Sequence, residues 1–310
     1  MHPKYKTRHR VTNWREYERG LVQRGDVTIW LSPEAIEAWK ARPNGRRGAQ
    51  PKFSDLAIET ALTLRLVFHL PLRQTEGFLR SLFKLMGVEF DVPDHTTLSR
   101  RGAALKVSLA KRTSNEPIDL IIDSSGLAIV GEGEWAAANH GGNGRRGWKK
   151  LHLGVGAAGE IVAQVLSDST VDDGTVGVAI IDDVSDGIQS VTADAAYDTR
   201  PIYRAAEASG ARVVIPPMSK ASTTAWRRQP KDRDRTIRRV KEVGRRRWKA
   251  ESGYHGQGRV ENTFFRYKTE FGGRLRARVR GSQGMEAVLA CNALNRMREL
   301  AWPTSEKVAS

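Results

Sequence analysis

The 310-residue sequence lacks several features that define whole classes of protein. Its single cysteine, Cys291, excludes a disulfide framework and any zinc site built on several thiolates. No run approaches the roughly 18 uncharged apolar residues that a membrane span needs. The N-terminus is basic where a secretory signal would be apolar, so we expect no signal peptide and a protein of the reducing cytoplasm.

Histidines and catalytic nucleophiles form no recognisable pattern either. His140 and His152 flank a basic loop and a strand, while His255 lies among glycines. This scatter argues against a histidine-rich metal site. No Ser/His/Asp or Cys/His arrangement is visible, which points away from covalent catalysis by a side-chain nucleophile.

Positive charge is abundant and unevenly distributed. The 51 Lys and Arg outnumber the 35 Asp and Glu, which gives a formal net charge of +16 and a pI near 10.2. Residues 151–199 hold no Lys or Arg but nine acids, whereas residues 220–249 hold 13 basic and three acidic residues. A basic exterior around cation-binding acids suits a metal-dependent enzyme acting on nucleic acid. The alternative is a solvated basic surface, with acids that only cap helices or face solvent.

Residues 1–110 show the hydrophobic spacing of helices and predict a helical N-terminal region. The last of these helices opens at Asp94 and carries Arg100 and Arg101 near its start. Together with the helix before it, it forms a candidate helix-turn-helix whose polar residues would reach bases or phosphates. A plain helical bundle fits the same pattern nearly as well.

From about residue 115 the hydrophobic period changes to that of strands. We therefore predict an α/β fold in which residues 111–310 form one domain with a mixed sheet. Within it, residues 219–250 predict a basic, irregular insertion, and a helix is expected from Arg259 to Phe271. The predicted strands lie at 118–122, 150–156, 161–166, 190–193 and 212–215.

Three carboxylates are candidates for a metal site. Asp123 and Asp194 each follow an apolar strand, where a carboxylate is costly to bury without a cation or a donor. If these strands are neighbours, the two aspartates meet at the sheet edge, and a helix across the sheet brings Glu261 to them. Three carboxylates can hold two Mg²⁺ or Mn²⁺ ions. Lys268, seven residues after Glu261 on the same helix face, would bind a phosphate.

Each acid taken alone is more simply a helix cap or a partner in a surface salt bridge. We expect Asp198 to cap the helix at 199–209, with metal ligation as its second possible role. Asp168, Asp172 and Asp173 are expected in turns and caps.

Longer motifs make the chain resemble the DDE-type transposases of bacterial insertion sequences, in the broad group numbered four and five. The resemblance runs over nearly the whole length. It rests on residues 94–100 (Asp-His-Thr-Thr-Leu-Ser-Arg), 122–127 (Ile-Asp-Ser-Ser-Gly-Leu), 145–152 (Arg-Arg-Gly-Trp-Lys-Lys-Leu-His), 193–198 (Ala-Asp-Ala-Ala-Tyr-Asp) and 254–268.

The resemblance implies an RNase H-like catalytic core preceded by a helical DNA-binding region. The family's acidic triad then falls on Asp123, Asp194 and Glu261. Its signature around the glutamate is Tyr, two residues, Arg, three residues, Glu, six residues, Lys. Tyr254, Glu261 and Lys268 fit this signature, but the arginine position holds Gln257, and Arg259 is the nearest arginine.

The function that this resemblance implies is cleavage at the terminal inverted repeats of a mobile element and strand transfer into target DNA. It further implies two Mg²⁺ or Mn²⁺ ions, a homodimer or larger assembly, and association with the bacterial nucleoid. Two alternatives remain open: a non-catalytic DNA-binding regulator or decayed transposase that occupies the element ends, and a structure-selective nuclease that cuts without joining.

DNA contacts are expected mainly at basic residues outside the acidic residues 151–199. They include the arginines of the insertion at 219–250, such as Arg233. Trp148 or Trp248 is a candidate to stack on a distorted base, although ordinary packing explains both. The expected DNA-binding residues are Arg100, Arg101, Arg145, Arg146, Trp148, Lys149, Lys150, Arg238, Arg239, Arg245, Arg246, Arg247, Tyr254, Arg259 and Lys268.

Overall fold

The computed structural model describes residues 9–43, 45, 47–48, 50–110, 116–130, 147–184, 187–223 and 231–307. The first elements are β1 (His9–Val11), α1 (Trp14–Gln23), α2 (Val27–Trp30), α3 (Pro33–Glu37), α4 (Asp55–Val67), α5 (Leu72–Leu85) and α6 (His95–Ala104). Then come β2 (Ile118–Ile129), β3 (Trp148–Val155), β4 (Ile161–Asp168), α7 (Asp173–Val184), β5 (Ile188–Ala193), α8 (Arg200–Ala208) and β6 (Arg212–Val214). The last are α9 (Lys231–Val243), α10 (Arg245–Ser252), α11 (Gly258–Phe271), β7 (Arg274–Leu275), α12 (Arg280–Leu300) and β8 (Ser305–Lys307).

The chain divides into two compact units. One comprises Met1–Leu98 with Ala293–Ser310, and the other comprises Ser99–Asn292. The sequence pattern placed the boundary at residue 110 and assigned the C-terminus to the second region. In the structure the chain returns to the first unit, because β8 pairs with β1 in an antiparallel ribbon.

The first unit is helical, as the hydrophobic spacing predicts. Its helix starts follow the capping rules, since the Ser54 hydroxyl accepts a hydrogen bond from the Ala57 amide at 3.0 Å and opens α4. Trp39 is fully buried edge-on against Phe83, with ring centroids 4.8 Å apart. The link between α5 and α6 spans residues 86–94, which is longer than the turn of about 3–4 residues in a helix-turn-helix. A DNA-binding role for this unit stays a prediction.

The second unit is built on a six-stranded mixed sheet with the order β4-β3-β2-β5-β6 and with β7 pairing with β2. The three long strands β2, β3 and β4 are antiparallel, whereas β5 and β6 run parallel to β2. The hairpin β3–β4 and the parallel strands lie where the sequence predicts them. The α/β fold is therefore confirmed.

The two faces of β2 meet different partners, because successive side chains of a strand point to opposite sides. Ile118, Leu120 and Ile122 belong to a buried cluster with residues of α7 and α8. On the other face, α11 packs against β2 and β3. This alternation places Asp123 on the face that α11 covers.

The expectation that residues 219–250 are irregular is wrong for residues 231–250. Residues 231–243 and 245–252 form α9 and α10, separated by Gly244, which adopts a positive φ of 80°. Arg233 and Ile237, one helical turn apart, supply the buried side of α9. The sequence lacks the usual helical spacing of apolar residues here, because Arg233 occupies a buried position of α9 that an apolar residue would normally fill.

Asp198 does not cap the following helix, in contrast to the sequence prediction. Thr199 occupies the cap position of α8, and the Asp198 side chain is buried. Its carboxylate accepts hydrogen bonds from Arg233 Nε at 2.6 Å and Nη2 at 2.8 Å, and from the Met218 amide at 3.1 Å. Arg233 is therefore an internal ion-pair partner and not a DNA contact, and the pair ties α9 to the chain just after β5.

We expect Arg233→Met to destabilise the protein by about 3–5 kcal/mol, because it leaves the Asp198 carboxylate buried without its cation. Urea unfolding at pH 7 measures this loss. Arg235→Met is the matched control on the same helix, since Arg235 forms an exposed pair with Asp232 worth at most about 1 kcal/mol. Equal stability of the two variants would contradict the assignment.

Candidate active site

Asp123, in β2, and Asp194, directly after β5, each follow a residue at which these two parallel strands are in register. Ile122 of β2 is in register with Ala193 of β5, and an aspartate directly follows each of these two residues. Neighbouring strands are about 4.8 Å apart, and residues in register share one face of the sheet. The strand pairing alone therefore brings these two carboxylates together, as the sequence predicts on the condition that the strands are neighbours.

Glu261 approaches the same face from the helix above it. The turn before α11 packs on β2, since a Cβ atom at Gly256 would lie 3.7 Å from Ile121 Cδ1. Ile121 is two residues before Asp123 and therefore points to the same side. α11 buries Val260 and Phe264 against the sheet, while Glu261, in its first turn, is exposed.

The electrostatic properties of Asp123 show that the acids share one environment. The pKa of Asp123 is raised to about 6, mainly by burial and to a smaller extent by the negative charges of Asp194, Glu261 and Asp173. A hydrogen bond that the Ser124 amide donates at 2.8 Å opposes this shift. An ionised Asp123 is therefore held in a repulsive field that a nearby cation would relieve.

Tyr254 lies within electrostatic range of the same three carboxylates, the acidic pocket formed by Asp123, Asp194 and Glu261. Partial burial raises the pKa of its hydroxyl, followed by the charges of Asp194, Asp123 and Glu261. Its ring packs against Trp248, with centroids 6.1 Å apart, and lies under Lys249 Nζ at 4.6 Å.

The donor set fits a hard divalent cation. Within the described ranges, none of the three carboxylates forms an ion pair with a lysine or arginine. One oxygen of Asp123 accepts from the Ser124 amide, and one oxygen of Asp194 accepts from the Ala196 amide at 2.9 Å, as the cap of a short turn, which leaves the second oxygen of each for a cation. The same ranges contain no group of three or more His, Cys, Asp or Glu side chains already gathered at one point. The charges of Asp194 and Glu261 thus act on Asp123, but the three carboxylates do not form a ready ligand group for a metal ion.

Asp173 is a further carboxylate whose charge acts on Asp123, and the sequence predicts a turn or cap for it. Asp172 takes the capping role, accepting from the Thr175 amide at 2.9 Å. Asp173 Oδ1 instead lies 3.3 Å from Lys150 Nζ and 3.6 Å from His152 Nδ1. The adjacent Asp172-Asp173 pair was the available signal, because one helix start needs only one capping aspartate.

The His152 side chain is fully buried, and its Nε2 lies 2.8 Å from Ser167 Oγ. Burial lowers the pKa of His152 to about 4, so the ring is neutral at pH 7. A neutral, enclosed imidazole serves packing and hydrogen bonding at this position.

The basic segment before β3 is only partly described, and Arg145 and Arg146 lie outside the described residues. Lys149 pairs with Asp168, and Lys150 Nζ donates to the Val171 carbonyl at 2.9 Å in addition to its contact with Asp173. Both lysines are thus engaged within the protein. Their DNA-binding role stays a prediction.

The two tryptophans differ in exposure. Trp248 is 5% exposed and packs in the interior, as expected if its role is ordinary packing. Trp148 is 44% exposed, and its ring lies over Gly126 on the face of β2 opposite Asp123. Neither ring is placed to stack on a base beside the three acids.

The arginines of α9 and α10 fall into two groups. Arg239 and Arg247 both bind Glu251, at 2.8 Å each, and Arg239 also pairs with Glu242. Arg238 and Arg246 are exposed, and no acid of the described residues pairs with them. Arg245 donates to the Pro217 carbonyl. Arg259 and Lys268 are exposed on α11, Arg100 is exposed on α6, and Arg101 beside it is half-buried.

Comparison with protein families identifies the class of protein that this sheet and its acids define. A family model described as a transposase DDE domain matches residues 114–297, more than half of the chain. A second model with the same description matches residues 22–132. The chain belongs to the DDE transposases, and its mixed sheet is the RNase H-like core of that family.

Membership of this family confirms the resemblance drawn from the motifs, although it does not assign an insertion-sequence group. The protein is a transposase-class enzyme that acts on DNA and depends on divalent metal ions. None of the helices in the described ranges has the length and apolar composition that crossing a membrane requires.

Asp123→Asn is expected to stabilise the metal-free protein at pH 7.5. The folded-state pKa of about 6 lies above the ordinary value of 3.8, so stability falls as pH rises between these values. The gain on substitution is about 1–2 kcal/mol after a discount for partial exposure, and it shrinks at pH 4.5. Urea unfolding in EDTA measures it, and Mg²⁺ should then stabilise only the wild type.

Asp168→Asn is the control of opposite sign, because pairing with Lys149 lowers the pKa of Asp168 and that substitution should not stabilise the protein. A destabilised Asp123→Asn variant at pH 7.5 in EDTA would show that the Asp123 carboxylate is not in a repulsive field.

The two groups of arginines predict different salt dependences of DNA binding. Arg238→Ala and Arg246→Ala should each flatten the slope of log K against log[salt] by about 0.9, the loss of one phosphate contact. Arg239→Ala and Arg247→Ala are the matched controls and should change it less, because acidic neighbours already neutralise these side chains. Fluorescence anisotropy with a labelled duplex measures the slopes. Equal effects of all four substitutions would contradict the distinction.

Proposed function

We propose that this transposase binds the terminal inverted repeats of an insertion sequence, cleaves the DNA there and joins the free ends to target DNA. The observation that carries the proposal is the raised pKa of Asp123, caused by burial and by the charges of Asp194 and Glu261. A carboxylate with a perturbed pKa at the edge of a sheet is typical of a functional site.

Asp123 and Asp194 would hold divalent ions from the sheet, and Glu261 would complete the ligand set by turning inward from the exposed side of α11. Oxygen donors of this kind favour Mg²⁺ or Mn²⁺. When bound, two such ions activate the attacking water or 3′-hydroxyl and stabilise the leaving oxygen. No covalent intermediate with a side chain is needed.

Lys268 is suited to orient the phosphate beside these acids. It follows Glu261 by seven residues on α11, so both side chains lie on the same exposed helix face. An ammonium group at this place neutralises a phosphate that the three carboxylates would otherwise repel. Tyr254, at the border of the acidic pocket, and Arg259, exposed near the start of α11, would contact the neighbouring backbone.

The remainder of the DNA would run over basic surfaces outside the acidic pocket. α9 and α10 offer the exposed Arg238 and Arg246, and the N-terminal helical region, with Arg100 and Arg101 at its end, would recognise the inverted repeats. Holding both ends of the element requires a homodimer or larger assembly on DNA.

The activity test uses a duplex that carries the element end, with Mg²⁺ or with EDTA, and detects new 3′-hydroxyl ends. Asp123→Ala, Asp194→Ala and Glu261→Ala should each lower nicking by more than about a hundredfold while DNA binding persists, because each removes a metal ligand. Asp172→Ala, which removes a helix cap near the site, is the matched control and should retain cleavage.

The same assay separates the alternatives. DNA binding without metal-dependent cleavage by folded wild-type protein would favour the non-catalytic regulator, in keeping with the open arrangement of the carboxylates. Cleavage of branched DNA without joining of ends would favour the structure-selective nuclease.

A further inference from the structure

Glu251 joins two arginines that come from different helices. Its Oε2 accepts hydrogen bonds from Arg239 Nε at 2.9 Å and Nη2 at 2.8 Å, and its Oε1 accepts one from Arg247 Nε at 2.8 Å. Arg239 belongs to α9, whereas Arg247 and Glu251 belong to α10. Both carboxylate oxygens of Glu251 are therefore occupied by guanidinium groups.

The same two guanidinium groups are suited to bind a phosphate, because arginine contacts carboxylate and phosphate oxygens with the same bidentate geometry. The hydrogen bonds from Arg239 and then from Arg247 lower the pKa of Glu251, so its carboxylate is charged at pH 7. Arg239 has a second acidic partner, since its Nη1 lies 2.9 Å from Glu242 Oε2. An anion of the protein itself thus occupies the place where a DNA phosphate would bind.

These closed arginines lie on the same surface as open ones. The residues directly before each of them, Arg238 and Arg246, are exposed, and no acid of the described residues pairs with them. Arg238 and Arg239 also line one open cavity of about 480 Å³ on α9. A DNA strand bound along α9 would therefore pass one arginine that is available and one that Glu251 holds.

Stability alone is a weak reason for this arrangement. The side chains of Arg239, Arg247 and Glu251 are 40%, 71% and 34% exposed, and exposed ion pairs contribute little to folding. Their effect on DNA binding is larger, because an arginine gains affinity from neutralising a phosphate and releasing its counterions. An arginine that is already neutralised by a carboxylate loses this gain.

We propose that Glu251 is an internal substitute for a DNA phosphate, which keeps Arg239 and Arg247 from DNA and lowers the sequence-independent affinity of the transposase. The inference rests on the proposed function, since it places DNA along α9 and α10. Phosphate contacts supply nearly all non-specific binding, and a genome offers a large excess of non-specific sites. An acid that weakens these contacts leaves more of the protein available to bind the element ends.

Binding to a random-sequence duplex in EDTA, followed by fluorescence anisotropy over a salt series, tests the proposal. Glu251→Gln keeps the shape of the side chain and removes its charge. It should tighten binding by about tenfold and steepen the slope of log K against log[salt] by about 1.8, the gain of two phosphate contacts. Glu242→Gln is the matched control, because it removes the same charge from the same surface but leaves Glu251 on both arginines. Equal effects of the two substitutions would overturn the proposal.

A double-mutant comparison separates released arginines from a general change of charge. In the Glu251→Gln background, Arg239→Ala and Arg247→Ala should each flatten the slope by about 0.9, although the same substitutions have smaller effects in the wild type. Identical effects in the two backgrounds would contradict the proposal. The urea midpoint of Glu251→Gln should match that of the wild type, and a large loss of stability would instead assign Glu251 to holding α10 against α9.

Arg238→Ala and Arg246→Ala are measured alongside, because they test the placement of DNA without involving Glu251. If they flatten the slope while Glu251→Gln leaves it unchanged, the inference fails and the proposed function stands. If none of these substitutions changes the slope, α9 and α10 do not face DNA, and the proposed course of the DNA fails together with the inference.

Discussion

The parallel pairing of β2 with β5 is the constraint on which the active site depends. Because Ile122 is in register with Ala193, the next residues along both strands, Asp123 and Asp194, are neighbours on one face. Holding the Asp123 carboxylate at this place has a cost, which its raised pKa shows: burial is the larger cause and the charge of Asp194 adds to it. The hydrophobic packing of the paired strands offsets this unfavourable energy. A bound divalent cation would make the negative charge of Asp123 favourable.

The rest of the second unit arranges charge around that pair. α11 covers the face of β2 that carries Asp123 and presents Glu261 and Lys268 along one exposed line. The buried pair of Asp198 with Arg233 fixes the basic helix α9 to the chain four residues after Asp194. The chain directly after β5 therefore carries both Asp194, of the proposed metal site, and Asp198, whose ion pair with Arg233 fixes the basic helix α9.

Much of this could be predicted from local sequence. The strands before Asp123 and Asp194 are short apolar runs, and an aspartate directly after such a run is conspicuous. The spacing of Glu261 and Lys268 on a helix follows from its period. The N-terminal helices, the hairpin and the mixed sheet follow from the same two periods, 3.6 and 2.

The remaining features depend on contacts that sequence spacing does not contain. Asp198 and Arg233 are 35 residues apart, so nothing local distinguishes this buried pair from a cap and a surface arginine. The helices of the basic segment were missed because one inner position of α9 is that same arginine. The sequence predicts a cap at Asp173, since its partners Lys150 and His152 lie more than 20 residues earlier in the chain, on β3.

The most direct test of the account is the position of bound Mn²⁺ in crystals of the protein, located by anomalous scattering. The account predicts an anomalous peak within about 2.3 Å of carboxylate oxygens of both Asp123 and Asp194, with Glu261 turned toward it. Ordered Mn²⁺ bound elsewhere, with these two aspartates free of metal at saturating concentration, would contradict it.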